Sequence, residues 1–290
     1  MIISASYRTD IPAFYGRWFQ QRLLAQEAWV KNPYSSKPYR VSLAPSDVDG
    51  FVFWTRNLAP FAEALAAVEA MHRPYVVQYT ITGYPAALEA GVPPAAHGIA
   101  QLRALAGRRG GDVGVWRYDP ILISSLTPPA WHRETFARIA AQLAGSVDEV
   151  TVSFCSPYRK TTRNLNAAAT RHSFTWHDQP LEEKQALLGD LASIAADQGM
   201  RLTACTQPDL PSPSVEAAAC IDAVRLSRIA GHAVAAKQKG NRPGCLCAES
   251  RDIGAYDTCA HGCTYCYAVS DHERAKAAVK SSDPAQPMLR

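Results

Sequence analysis

The stretch FVFWTRNLAPFAEALAAVEAMHRPYVVQYTIT, residues 51–82, decides the fold class. Phe51–Trp54 is a short apolar run of β-favouring residues, closed by the polar group Thr55, Arg56 and Asn57. Leu58–Met71 is rich in Ala, Leu and Glu, the residues that lose least on entering a helix. Pro74 ends that helix, and Tyr75–Thr82 is a second β-favouring run closed by Gly83. Strand, helix and strand within roughly 30 residues form a βαβ unit. The two strands run parallel, because a crossover of this length returns the chain to the same end of the sheet.

The alternation continues in both directions. Upstream lie a strand at Ile2–Ser6 and a helix expected over Phe14–Trp29. Downstream come a helix over Ala96–Ala106, a strand at Val113–Tyr118 stopped by Asp119 and Pro120, and a helix over Pro129–Leu143. A strand at Glu149–Cys155, a helix over Leu181–Gln198, a strand at Arg201–Thr206 and a helix over Pro213–Ile229 follow. This pattern predicts an α/β chain, a full or partial (β/α) TIM-type barrel in one domain over residues 1–280, with a doubly wound open sheet as the competitor. No Gly-x-Gly-x-x-Gly loop follows the first strand, which argues against dinucleotide binding. Residues 157–179 read as a long polar loop that could serve as a lid. Residues 281–290 read as a disordered tail.

The chain has 290 residues, 47% hydrophobic and 19% charged, an ordinary globular composition. Its net charge of +4 is mild and unclustered, so nucleic acid is permitted as a partner but not indicated. The opening MIISASYRTD lacks a basic leader region, and no apolar run approaches the ~18 residues that span a bilayer. A cytoplasmic protein without a membrane partner is expected.

Charged residues collect where strands end: Arg8 and Asp10, then Arg56, then Arg117 and Asp119, then Arg159 and Lys160 beside Tyr158. Strand ends in a barrel share one face, where active sites sit. Polar loops explain any one of these; a row of Arg and Asp needs partners, because desolvating a charge is costly. Trp54, Trp116 and Tyr118 read as packing residues, and His172 and His177 as acid–base candidates or surface residues.

Five of the eight cysteines fall between residues 245 and 266. Clustered cysteines without a secretion signal point to metal ligands or catalytic groups rather than disulfides. Cys259, Cys263 and Cys266 have Cys-x3-Cys-x2-Cys spacing, with Gly262 to turn the loop. Three thiolates can hold three irons of a [4Fe–4S] cluster and leave the fourth iron for an outside ligand. Structural zinc is the rival, but its paired knuckles match this spacing loosely and leave Cys259 over. Cys245 and Cys247 alternate on one side of an extended segment. They could form a second metal or thiophilic-acceptor site, a redox pair, or spare thiols. Cys155 and Cys205 read as packing thiols. His261 could tune the cluster or face solvent.

The Cys-x3-Cys-x2-Cys run, with Tyr265 just before its last cysteine, resembles the radical-SAM cluster motif. Over most of its length, at residues 3–12, 53–57, 116–120 and 245–268, the chain resembles a bacterial domain-of-unknown-function family whose C-terminal cysteines mirror that motif. The superfamily usually carries its motif after the first strand, whereas here it lies near the C-terminus. The resemblance therefore implies a circularly permuted radical-SAM-like barrel, with the last βα unit beside the N-terminal strand. It implies a [4Fe–4S] cluster on Cys259, Cys263 and Cys266, S-adenosylmethionine as cofactor, and an electron donor such as flavodoxin or ferredoxin. By that mapping Tyr265, Arg8, Asp10 and Arg56 are cofactor-binding candidates, and Arg117 and Asp119 catalytic ones. The expected function is reductive cleavage of S-adenosylmethionine to modify an unidentified small molecule. The alternatives are transfer of a 3-amino-3-carboxypropyl group to a thiophilic acceptor, a DNA-lesion repair lyase, and a non-catalytic zinc or iron–sulfur module.

Overall fold

Residues 1–32, 35 and 37–289 are described by a computed structural model. The βαβ reading holds across its centre. Strand β1 (Ile2–Ala5) leads into helices α1 (Ile11–Phe14) and α2 (Gly16–Ala25), then a hairpin of β2 (Glu27–Lys31) and β3 (Pro38–Ser42). The unit quoted above appears as β4 (Gly50–Thr55), α3 (Ala62–Ala70) and β5 (Tyr75–Thr80). It is followed by α4 (Ala95–Arg109), β6 (Gly114–Ile121), α5 (Pro129–Leu143) and β7 (Glu149–Phe154). Then come α6 (Arg159–His172), α7 (Leu181–Asp197), β8 (Arg201–Ala204) and β9 (Glu216–Ala217). Helix α8 (Ala223–Ala230), strand β10 (Ser250–Asp252) and helix α9 (His272–Lys280) complete the order.

Eight strands form one sheet in the order β10-β1-β4-β5-β6-β7-β8-β9, and every neighbouring pair is parallel. From β1 to β9 the spatial order follows the chain order, with no reversal of winding. A doubly wound sheet reverses at a switch point, so that competitor does not describe this chain. The sheet is nevertheless open, and the closed form of the expected barrel is corrected: β9 and β10 are its two edges. These are the shortest strands, two and three residues long, and offer few backbone groups with which to pair across a gap.

Side-chain alternation along each strand divides two faces. Phe51, Phe53, Tyr75, Val77, Trp116 and Tyr118 point into the main core, where they meet Phe19 and Phe61 and residues of α4 and α5. Val52, Val76 and Val115 point the other way, into a smaller cluster with Leu226 of α8 and Val234. On that inner face the positions turn polar toward the strand ends, at Ser4, Gln78 and Arg117. The packing role expected of Trp116 and Tyr118 is what the structure has; both are fully buried.

At the opposite end of the strands, Arg225 of α8 is buried against Glu149 (2.7 Å) and Asp148 (2.8 Å), and Arg201 adds a 2.6 Å contact to Glu149. Burial alone would raise the Glu149 pKa, but Arg225 and then Arg201 outweigh it and hold the carboxyl below its ordinary value. A carboxylate with a depressed folded pKa stabilises the fold above its unfolded pKa, and that contribution is lost as pH falls through the folded value. Glu149→Ala is therefore expected to cost about 3 kcal/mol in urea unfolding at neutral pH. The gap from the unaltered chain should narrow in acid, as pH falls past the ordinary carboxylate value and through the lower folded one. A gap that stays constant into acid would show that Glu149 acts through packing alone.

Several elements differ from expectation. The helix expected over Phe14–Trp29 ends at Ala25, where Gln26 adopts a left-handed conformation and the chain turns into the β2–β3 hairpin. The helix expected over Pro213–Ile229 is confined to α8, capped by Asp222, because Glu216 and Ala217 pair with β8 instead. The polar loop at residues 157–179 contains α6, whose buried positions are only Thr161, Leu165 and Ala168. Residues after Ser281 lie along α2 and β2: Trp18 donates to the Gln286 carbonyl (2.9 Å), Arg22 to that of Ala285 (3.1 Å), and Trp29 N of β2 to that of Pro287 (2.8 Å). Arg290 lies outside the described residues. Among the described residues, no helix is long and apolar enough to cross a membrane.

Candidate functional site

Parallel strands bring all their C-terminal ends to one edge of the sheet, and there a cavity of about 380 Å³ opens. That volume lies within the range of small-molecule sites. All eight cysteines of the chain line it, although they come from five separate segments. Arg8, Asp10, Arg56, Arg117, Asp119 and Tyr265 line it too, as does Tyr158, whereas Arg159 and Lys160, also expected on that face, open α6 and do not line it.

The first group of thiols is Cys259, Cys263 and Cys266, on the loop between β10 and α9. Strand β10 pairs with β1, with Ile2 opposite Ser250 and Ser4 opposite Asp252, so the last βα unit lies beside the first strand. Asp252 makes that junction. Its carboxylate accepts from Ser4 Oγ (2.8 Å), Ser6 Oγ (2.7 Å), Tyr7 N (3.1 Å), Arg8 Nε (2.9 Å) and Gly254 N (3.0 Å). Asp10 makes a second junction: it accepts from Thr55 Oγ1 (2.8 Å), Arg56 N (2.8 Å) and His261 Nε2 (2.7 Å). His261 is thus buried within the cysteine loop and does not face solvent.

The loop is also seated on residues 84–92. Gly91 N donates to His261 O (2.8 Å), Thr264 N donates to Leu88 O (3.0 Å), and Glu89 forms a bridge with Cys263. A Cβ at Gly91 would stand 2.9 Å from the His261 carbonyl oxygen, so only glycine permits this approach. Gly262, at φ +72°, turns the loop between the first two thiols. Arg56 contacts Glu89 at 2.8 Å and donates to Tyr265 OH at 2.7 Å, and Tyr265 OH in turn donates to Glu89. Burial pushes all three thiols up: Cys263 to about 12, Cys266 upward, and Cys259 well above its ordinary value. The Arg56 guanidinium opposes the shift at Cys263 and Cys266. Such thiols stay neutral unless a strongly electropositive partner takes them as thiolates.

The second group contains Cys245 and Cys247 together with Cys205 and Cys220. Cys205, expected as a packing thiol, has its sulfur 3.3 Å from that of Cys220. Cys247 Sγ accepts from Ile221 N (3.3 Å), and Cys247 lies close enough to Cys220 and Cys245 to perturb their thiols. Arg117 Nη1 donates to Cys220 Sγ (3.0 Å), while its Nη2 donates to Asp119 Oδ2 (2.5 Å) and its guanidinium stacks on Trp54 at 5.0 Å. Trp54 is therefore a wall of the cavity as well as a packing residue. Among the described residues, no three His, Cys, Asp or Glu side chains converge on a single point as a one-ion site does.

The domain of unknown function DUF1848 matches residues 2–268, nearly the whole chain. The chain belongs to this family. Among curated proteins none matches it. In this DUF1848 chain the structure gathers Arg8, Asp10, Arg56, Arg117, Asp119, Tyr265 and the cysteines at one cavity, but with altered surroundings. Arg8, Asp10 and Arg56 are each tied to protein partners, to Asp252, to His261 and Thr55, and to Glu89. Cys155 also faces the cavity, its thiol pushed up to about 12 by burial. His172 and His177 do not line it. Asp252, Glu89, Cys205 and Cys220 were missed. Asp252 follows the same strand-end rule as Asp10, and would have been found had residues 250–252 been read as a strand. Glu89 carried one faint signal, a lone acid in a loop of Pro, Ala, Leu and Gly.

Proposed function

We propose that this chain is a radical-SAM-type enzyme whose [4Fe–4S] cluster is held by Cys259, Cys263 and Cys266. One observation supports the reading above the others. Three buried thiols sit on one pinned loop, at the edge of a strand-end cavity, in the field of a buried cation. Among the described residues the three share no thiol–thiol hydrogen bond, unlike Cys205 and Cys220, and spaced thiols suit a cluster in which each binds its own iron. Their neutral form in an apolar pocket suits ligands that ionise only when metal arrives. The position of β10 beside β1 fits a circularly permuted barrel whose cluster unit comes last.

The bound cluster would supply the electron that cleaves S-adenosylmethionine. The protein groups have separate tasks. Asp10, through His261, and Gly91 fix the loop that carries the thiols. Arg56, held by Glu89, offsets the charge of the thiolates, and Tyr265 OH completes that hydrogen-bond chain. Outer partners of this kind orient ligands and set their basicity. Because Arg8, Asp10 and Arg56 are already engaged, we assign them to building the site rather than to direct contact with the cofactor. Arg117 and Asp119 lie on the side of the second thiol group and face the substrate space.

The test is anaerobic purification and reconstitution with iron and sulfide. About four irons per chain, and a reduced paramagnetic signal that changes on adding S-adenosylmethionine, are expected. The nucleoside released then identifies the bond that breaks: 5′-deoxyadenosine for hydrogen abstraction, methylthioadenosine for transfer of the aminocarboxypropyl group. A chain that takes up no iron and leaves S-adenosylmethionine intact would overturn the proposal.

A further inference from the structure

Cys205 and Cys220 have no part in the cluster. Cys205 follows β8 and Cys220 lies between β9 and α8, both as free thiols. Their sulfurs are 3.3 Å apart, and among the described residues theirs is the one thiol–thiol hydrogen bond. Both residues line the strand-end cavity, so a small reactant has a way to reach them. We propose that Cys205 and Cys220 form a redox-active dithiol, which closes to a disulfide at the expense of a small-molecule disulfide that enters the cavity.

The backbone holds the two thiols in contact. Cys205 N donates to Val152 O (2.8 Å), and Ala218 N donates to Ala204 O (2.8 Å), which ties the return strand to β8. Gln78 Nε2 donates to the Cys220 carbonyl (2.8 Å) from β5. A cation stands beside one sulfur only: Arg117 Nη1 donates to Cys220 Sγ at 3.0 Å. A guanidinium in that position favours the thiolate. The hydrogen bond to Cys205 also favours it, but the contact with Cys247 and burial outweigh both and leave Cys220 at about 11. Cys205 lies well above its ordinary value, through its hydrogen bond to Cys220 first and burial second. Cys220 therefore ionises first and is the attacking thiol. A thiol with so small a thiolate fraction exchanges slowly, so the pair follows the standing ratio of disulfide to thiol over minutes to hours.

The exchange runs in two steps. The Cys220 thiolate attacks one sulfur of the small disulfide, a mixed disulfide forms, and one thiolate leaves. Cys205, already in contact with Cys220 Sγ, then attacks that sulfur and expels the second thiolate. The protein pair loses two electrons, the small disulfide gains them, and the two protons of the dithiol end on the two small thiols released. A disulfide bond is ~2.0 Å long, so closure brings the sulfurs about 1.3 Å nearer. The bond would tie the end of β8 to the segment between β9 and α8. It would also take an ionisable sulfur from Arg117 Nη1, which keeps Gln78 Oε1 at 3.2 Å. The cavity wall beside Arg117 and Asp119 would thus differ between the two oxidation states.

The experiment is independent of the cluster reading, because it reads neither iron nor S-adenosylmethionine. Trypsin leaves both cysteines in one peptide, residues 202–225, which holds no other cysteine. The full unaltered chain is kept anaerobically in graded mixtures of 2-mercaptoethanol and its disulfide, quenched in acid, unfolded, alkylated and digested. As the disulfide share rises, peptide 202–225 should pass from doubly alkylated to unalkylated and lighter than the free dithiol by two hydrogen atoms. Excess 2-mercaptoethanol should reverse the change. Cys205→Ser should stop at a mixed disulfide on Cys220, which identifies the attacking thiol, whereas Cys220→Ser should leave Cys205 largely free. The mass of the unaltered peptide decides the matter even if neither variant folds. Double alkylation across the whole range, or a disulfide from either residue to Cys155, Cys245 or Cys247 in place of this pair, would overturn the dithiol. A mixed disulfide that forms faster in Cys220→Ser than in Cys205→Ser would overturn the order of attack.

Discussion

Cys263→Ala is expected to abolish both cluster retention and S-adenosylmethionine cleavage, while the chain stays folded. Cys263 is the thiol most tightly built into the protein. It bridges Glu89, its shift is opposed by Arg56, and it belongs to a buried group with Tyr84, Leu88, Leu165 and Tyr265. Loss of an outer partner of a metal ligand typically costs 10–100-fold in affinity or activity. Loss of a ligand should exceed that range, so nucleoside release should fall more than about 100-fold. Glu89→Gln is the contrasting variant. It keeps the shape of the contact to Arg56 and Tyr265 but removes the charge, and should reduce activity by roughly 10–100-fold with the iron retained. The two are compared by iron content, nucleoside release and thermal unfolding. Full iron and activity in Cys263→Ala would sink the assignment of that thiol. Equal damage in both variants, with a large loss of thermal stability, would show that the loop is structural only.

The parts of this architecture that could be read from the sequence are those governed by local rules. Residues 51–82 carry their own strand, helix and strand signals, and that unit appears nearly as expected. The strand-end rule brought Arg8, Asp10, Arg56, Arg117 and Asp119 to one cavity, because parallel winding leaves the ends nowhere else to go. Long-range pairing was hidden. Residues 213–218 contain an alanine run suited to a helix, yet Glu216 and Ala217 pair with Thr203 and Ala204 of β8, an edge no local pattern announces. The β2–β3 hairpin was lost in the same way, since Glu27 and Ala28 continue the composition of α2 and only the left-handed Gln26 separates them. Closure of the barrel was likewise illegible, because it depends on the lengths of the two edge strands. The Cys205–Cys220 contact was hidden for a related reason: Cys220 lies fifteen positions after Cys205 in the chain, and only the turn through β9 brings their sulfurs together.

Asp252→Ala is expected to have the largest effect on the fold, and to act first on the cysteine loop. The carboxylate is 5% exposed and paired with Arg8, whose side chain is equally buried. Removing one partner of a buried ion pair costs about 3–5 kcal/mol, because the other charge is left desolvated and alone. Here the loss reaches further, since Ser4 Oγ, Ser6 Oγ and the N–H groups of Tyr7 and Gly254 lose the same acceptor. Only three residue pairs join β10 to β1, so Asp252 provides much of what holds the last βα unit to the sheet. The damage should therefore be local before it is global. Hydrogen exchange should rise over residues 250–268 and along β1 while the β5–β6–β7 centre stays protected, and the iron should be lost more readily. Asp252→Asn, which keeps an acceptor of the same shape but not the charge, should lie between the two. If exchange instead rises uniformly across the sheet, β10 is an integral part of the cooperative core, and the last βα unit is not the separable element that its short pairing suggests.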